Sequence, residues 1–333
     1  MYTDEDLAHA VQQNIFSQGD VNRFRKSINT LRHSHLVDEE NFRLINGFND
    51  IFVVIASALL LGSLAWLGFI ISPPLAGIAV AAGSWGLAEY FVNKRRMALP
   101  AIALLLAFLG GLFATPILFR PEVKEYAFIA AGLITTVGAL MHWSRFHVPI
   151  TVAAGTATLC AFAAACLFYV APVLIGYINH IVLVFGLLVF GLAMVWDSKD
   201  TLRQTRASDT AFWLHLISAP MIVHPIFNSL GVLDGNSGLM ISAVVLGLYV
   251  LLAVIAIAVD RRAIMVSALV YVIYTFSTLL ENVGFVTYSF AITGLCIGST
   301  LLLLSAFWHS CRKGIVSSLP QPIQLKLPVL KAQ

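Results

Sequence analysis

The chain has 333 residues, of which 59% are hydrophobic and 11% charged, and a formal net charge of +3. A soluble domain carries about a quarter charged residues, so this composition, with a mean hydropathy of +0.86, excludes a soluble protein and places the chain in a bilayer. No basic segment with interleaved aromatics is present, so membrane lipid is the expected surround and nucleic acid is not an expected partner.

Residues 1–50 are polar, and a cleavable signal peptide is not expected; the first apolar run, beginning at Ile51, then reads as a retained span. Within the polar segment, Val21, Phe24, Ile28 and Leu31 recur at helical spacing after a weaker stripe of Leu7, Ala10 and Val11. The two stripes predict a small cytoplasmic helical hairpin. Ser17, with Asp20 three residues on, suits a helix N-cap with an acidic first turn. Eight acidic and five basic residues give this segment a charge of −3, which argues against a polybasic lipid-binding role. A cap that packs on itself is the leading reading, and a docking site for a cytoplasmic protein partner is the other.

Ten apolar runs follow, at about 51–72, 74–92, 97–118, 126–143, 148–169, 172–196, 210–231, 238–259, 263–281 and 284–307. Each is close to the length needed to cross a hydrocarbon core of roughly 30 Å. Pro74, Pro100, Pro149 and Pro172 fall at run starts, where a missing N–H costs little. The expected organisation is a hairpin over 1–50, a ten-helix transmembrane domain over 51–307 and a cytoplasmic tail over 308–333.

Lys and Arg near span ends set orientation. With ten spans and a cytoplasmic N-terminus, 18 of the 20 fall on the cytoplasmic side and only Arg120 and Lys124 outside. Merging or splitting one span would send later clusters to the wrong face. The fold class is therefore an all-α membrane protein with ten transmembrane helices, N-in and C-in, expected in a bacterial inner membrane. Five-plus-five spans would make an inverted repeat, but no convincing internal sequence match supports it.

Cys160, Cys166, Cys296 and Cys311 show no C-x-x-C or zinc spacing, so neither a disulfide nor a metal site is predicted, and no cofactor is expected. There is no Walker lysine, G-x-S-x-G elbow, H-E-x-x-H or dinucleotide fingerprint. Gly110-Gly111 and the Gly/Ala-rich third to fifth spans suit close helix packing.

Polar groups inside spans are costly and mark candidate sites. The seventh span holds His215, His224, Pro220 and Pro225. Each interior proline removes a backbone donor, so a helix break at Pro220 and Pro225 beside a polar cavity stands against a simple kink. At 1.5 Å of rise per residue, His224 lies roughly 21 Å from Thr210, and His180 roughly 12 Å below the outer surface. These depths match, and His180, His224, Asn228 and Glu281 form a candidate outward polar site suited to proton relay. Glu89, Asp209 and His215 form a second candidate near the cytoplasmic face, with Glu89 also free to pair with Arg95 or Arg96. His142 and His147 read as interfacial. Asp197, Asp200 and Asp209 share a loop with Lys199, Arg203 and Arg206, a mixture that reads as solvated surface.

Asp6-Leu7-Ala8 through Val21-Asn22-Arg23-Phe24, then Asn46-Gly47-Phe48-Asn49-Asp50 entering the first span, and Ser208 through His215 form a recurring organisation. In it the chain resembles a class of bacterial polytopic inner-membrane proteins with a short helical N-terminal region, a likeness that implies location and no activity. The leading expectation is a secondary transporter or permease, with proton coupling and an unknown small solute. A membrane-embedded enzyme using histidines or a metal, and a scaffold or accessory protein, are the alternatives.

Overall fold

The computed structural model describes residues 7–330 except 8–9, 14, 25–47, 202, 204, 233–237 and 283. The chain divides into two compact units, residues 1–43 with 331–333, and residues 44–330. In the first unit, residues 18–24 are helical. The Ser17 amide and hydroxyl donate to Asp20 Oδ2 at 3.2 and 2.6 Å, and the Asp20 amide donates back to Ser17 Oγ at 3.1 Å. This reciprocal cap is the one the Ser17–Asp20 spacing predicts. The Ser17 hydrogen bonds hold the Asp20 carboxyl below its usual range. Residues 10–12 are helical as well, and the end of the expected second helix, Ile28 and Leu31 included, lies outside the described residues.

Among the described residues of the second unit, ten helices are long and apolar enough to cross a membrane. They are α1 (Phe48–Ile71), α2 (Pro73–Ala88), α3 (Ala98–Phe119), α4 (Lys124–Phe146), α5 (Ile150–Val170), α6 (Ile178–Lys199), α7 (Arg206–Ser229), α8 (Leu239–Val259), α9 (Ala263–Asn282) and α10 (Ser289–Ala306). α2 continues through a π-helical segment, Glu89–Lys94, and a 3₁₀ segment, Pro172–Tyr177, leads into α6. Two short helices follow, α11 (Trp308–Ser317) and α12 (Gln321–Gln324). Apart from turns and connections, the described residues of this unit are helical.

The surface is apolar: Trp66, Ile71, Val170, Met240 and Phe290 are 70–81% exposed, whereas Asp197 and His215 are fully buried. Only a hydrocarbon solvent makes that distribution favourable, so the chain is a multi-pass membrane protein. Short connections make neighbouring helices antiparallel. The turns after α2, α4, α6 and α8 therefore share one end, here the basic end, and each contains a left-handed non-glycine residue: Arg96, His147, Arg203 and Asp260.

α7 is the central helix, with 56% of its apolar window buried against 11–39% in the other nine. Leu214 packs with Ala153 of α5 and Val189 and Ala193 of α6. Further along the same helix, Ala219, Val223 and Phe227 join a core with Val245 of α8 and Tyr271 of α9. α6 approaches α7 closely because Gly186 has no side chain; a Cβ there would lie 2.8 Å from the Met221 carbonyl carbon.

α7 remains one helix from Arg206 to Ser229 with both prolines inside it. The expected break at Pro220 and Pro225 is not seen. Each proline removes only its own donor, from the carbonyls of Leu216 and Met221, and packing on both sides holds the rest of the helix. An inverted repeat is not evident in the packing either. α2 packs on α1 and α3, whereas α7, five spans later, packs on α6, α5 and α9.

Candidate functional site

Two buried aspartates organise the basic end. Asp197 lies in the last turn of α6 and His215 nine residues into α7, and the close α6–α7 contact brings them together. His215 Nε2 lies 2.8 Å from Asp197 Oδ2. Arg261, in the turn between α8 and α9, donates from Nη2 to Asp197 Oδ1 at 2.6 Å and from Nε to Oδ2 at 3.4 Å. The same Nη2 reaches the Ser208 carbonyl at 3.2 Å and its hydroxyl at 3.4 Å. Asp197 and His215 are 0% exposed and Arg261 2%.

Taking an isolated carboxylate out of water costs several kcal/mol, of order, so Asp197 holds its charge here only because a guanidinium faces it. A carboxylate only accepts, so Nε2 of His215 carries a hydrogen. Its Nδ1 is buried without a hydrogen-bond partner among the described residues. The Phe190 ring stands edge-on to the imidazole at 5.2 Å between centroids. The result is a dry titratable pair locked between two spans.

Asp260 anchors the neighbouring layer. It caps α8 in the left-handed region, with φ of 61°, which ends the helix and reverses the chain. Its Oδ1 accepts Trp308 Nε1 at 2.6 Å and its Oδ2 accepts Arg203 Nη1 at 3.0 Å. Arg312 Nε lies 3.8 Å from Asp260 Oδ2, and its Nη2 donates to the Pro328 carbonyl at 2.5 Å. The Val329 amide donates to the Thr201 carbonyl at 3.1 Å. Asp200 Oδ2 accepts both the amide and the hydroxyl of Thr205 at 2.7 Å, capping the entry to α7. The C-terminal segment is thereby fastened across the 200–205 loop and the α8–α9 turn.

This layer corrects the reading of Asp197, Asp200 and Arg203 as solvated loop: Asp197 is 0% and Asp200 8% exposed and Arg203 pairs with Asp260, whereas Lys199 and Arg206 are exposed as expected. The short α8–α9 turn swings Arg261 back over the end of α6, and no local pattern in either segment records that meeting. Arg261 and Arg312 counted in the sequence only as orientation charges. The one local signal is the sequence Trp196-Asp197, a carboxylate still attached to an apolar helical run.

The second expected group divides. His215 joins Asp197, and Asp209 is half-buried at the start of α7. Glu89 instead forms a two-point pair with Arg145 of α4, at 2.8 Å from both Nε and Nη2. Arg95 turns to the Tyr90 ring and hydroxyl rather than to Glu89. The outward group comprises residues of α6, α7 and α9. His224 Nδ1 hydrogen-bonds the Tyr271 hydroxyl on α9. His180 is exposed with its ring near Tyr177, Asn228 is half-buried, and Glu281 accepts from Ser289 Oγ at 3.0 Å. No described hydrogen bond links His180, His224, Asn228 and Glu281 to one another.

His142 is not interfacial. It is 1% exposed, bonded through Nδ1 to Thr151 Oγ1 at 3.2 Å and packed by Trp85, Phe108 and Phe146. Four aromatic or hydroxyl-bearing neighbours on four helices surround one imidazole, a convergence that linear spacing cannot display. Ser218 donates to the His215 backbone carbonyl at 3.1 Å. Among the described residues, no three His, Cys, Asp or Glu side chains converge as a metal site. No protein-family model matches the chain, and neither does any curated protein or solved structure.

Proposed function

We propose that this multi-pass membrane protein is a proton-coupled secondary transporter or permease in which α7 is the working helix. The observation that carries the reading is the Asp197–His215–Arg261 cluster, a titratable pair buried between two closely packed spans. Ionisable groups inside a bundle mark ion or proton pathways more often than they serve as mere cement. A proton added to His215 Nδ1 would place imidazolium and guanidinium against one carboxylate. The excess charge has no water to relax into, which favours separation of α6 and α7. The two prolines of α7 weaken its backbone ladder one to three turns further on.

The test is solute-driven proton movement in proteoliposomes loaded with a pH-sensitive dye and offered amino acids, sugars, organic acids, nucleosides and metal cations in turn. His215→Gln keeps a donor toward Asp197 and abolishes titration. One solute class is expected to move protons through the unaltered protein and to move none through His215→Gln. If no class elicits solute or proton movement, or the variant couples as well as the parent, the reading fails.

We place the basic end in the cytoplasm of a bacterium, on the strength of 18 of 20 Lys and Arg residues in segments at that end. A reporter that is active only in the cytoplasm, fused after Gln333, is expected to be active; an inactive fusion beside an active periplasmic reporter would reverse the orientation.

A further inference from the structure

At the end of the bundle opposite the basic turns, a cleft of about 580 Å³ opens between α3 and α5, with α4 at its back. Its size falls within the range of about 300–1,000 Å³ typical of small-molecule sites. Ala161, Ala164, Ala165 and Phe168 line it from α5, at positions i, i+3, i+4 and i+7 of one helical face. Alanine at three of these positions leaves the volume that larger side chains would fill. Phe113 of α3 and Phe128 of α4 face them across the cleft.

Polarity is confined to the mouth. Glu125, in the first turn of α4, lines the rim together with Tyr169. The Tyr169 hydroxyl shares a hydrogen bond of 2.6 Å with that of Tyr126. Glu125 is exposed, and no described hydrogen bond or ion pair engages its carboxylate. Tyrosines sit at this level where indole and phenol rings meet headgroups. From the end of α5 to Ala161 the apolar wall descends about 14 Å. A polar rim above an apolar slot parallel to the helix axes has the shape of an amphiphile, not of a water-soluble ligand.

The sign of the rim decides which amphiphile. Among the described residues, Glu125 is the one carboxylate lining the cleft, and no described Lys or Arg side chain lines it. An anionic headgroup would be repelled, whereas an ammonium can donate to the carboxylate and to the tyrosine oxygens. We propose that this cleft binds a membrane phospholipid bearing a primary ammonium headgroup. Its acyl chain lies along Ala161, Ala164 and Phe168, and its ammonium is held by Glu125.

Native mass spectrometry of the full-length protein in detergent, titrated with phosphatidylethanolamine or phosphatidylglycerol, tests this. The unaltered protein is expected to retain phosphatidylethanolamine about tenfold better, the worth of one charge-assisted hydrogen bond. Glu125→Gln, at an exposed position that folding does not depend on, is expected to bring the two lipids to parity. Ala164→Phe fills the slot and is expected to release both; where that variant does not fold, Ala165→Leu replaces it. Equal retention of the two lipids by the parent overturns the proposal. So does a preference that survives Glu125→Gln, or a filled slot that holds phosphatidylethanolamine as the parent does.

Discussion

Asp197→Asn is expected to lower the stability of the detergent-solubilised protein by about 3–5 kcal/mol. The variant leaves the Arg261 guanidinium, 2% exposed, facing a neutral amide where a carboxylate stood at 2.6 Å. The loss comes from the stranded charge more than from the attraction given up, because burying the pair had already cost most of what the pair returned. The triple variant Asp197→Leu, Arg261→Met, His215→Phe removes the three ionisable side chains of the cluster together, and it is expected to recover most of the loss. Unfolding titrations in sodium dodecyl sulfate, read by tryptophan fluorescence, compare the three proteins. A single variant within about 0.5 kcal/mol of the parent, the range of an ordinary surface change, would show that water reaches the cluster. The site would then not be the dry pair on which the proton-coupled reading depends.

Gly111→Leu is expected to cost about 3 kcal/mol or more, at or above the top of the usual overpacking range. α2 and α3 cross backbone to backbone. A Cβ built on Gly111 would lie 2.6 Å from the Gly77 carbonyl oxygen and 2.8 Å from the Ala81 amide. A Cβ on Gly77 would in turn lie 2.6 Å from the Gly111 carbonyl oxygen. Main-chain atoms cannot rotate aside as a side chain does, so the two helices must separate along the crossing. Gly110 is the internal control, since a Cβ there meets nothing within 4 Å. Gly110→Leu is expected to stay within about 0.5 kcal/mol of the parent. Equal losses at the two positions in the same titration would mean that the crossing does not set the effect, since leucine is the better helix former at both.

These two experiments bear on different parts of what the sequence reveals. The doublet Gly110-Gly111 signals close packing, but only the crossing with α2 singles out Gly111 as the contact. His215 stands out on a span because a polar group in an apolar run is visible one residue at a time. Its partner Asp197 does not, because it sits beside Lys199 and Arg203 in what reads as a loop. The outward group was drawn from depth alone, and depth does not give the azimuth around each helix. His224 accordingly turns to Tyr271 and His180 to Tyr177.

Span number and the distribution of charge between the two ends follow from the sequence by itself. Both depend on solvent transfer, a property summed residue by residue over about twenty positions at a time. The same holds for the Ser17–Asp20 cap, which is settled within four residues. Tertiary structure alone decided which charges are buried, that α7 runs unbroken through its prolines and that Asp197 and Asp260 gather arginines from distant turns. Those outcomes depend on which face of each helix meets which neighbour. In a bundle whose outer faces are as apolar as its core, hydrophobic patterning carries little of that information.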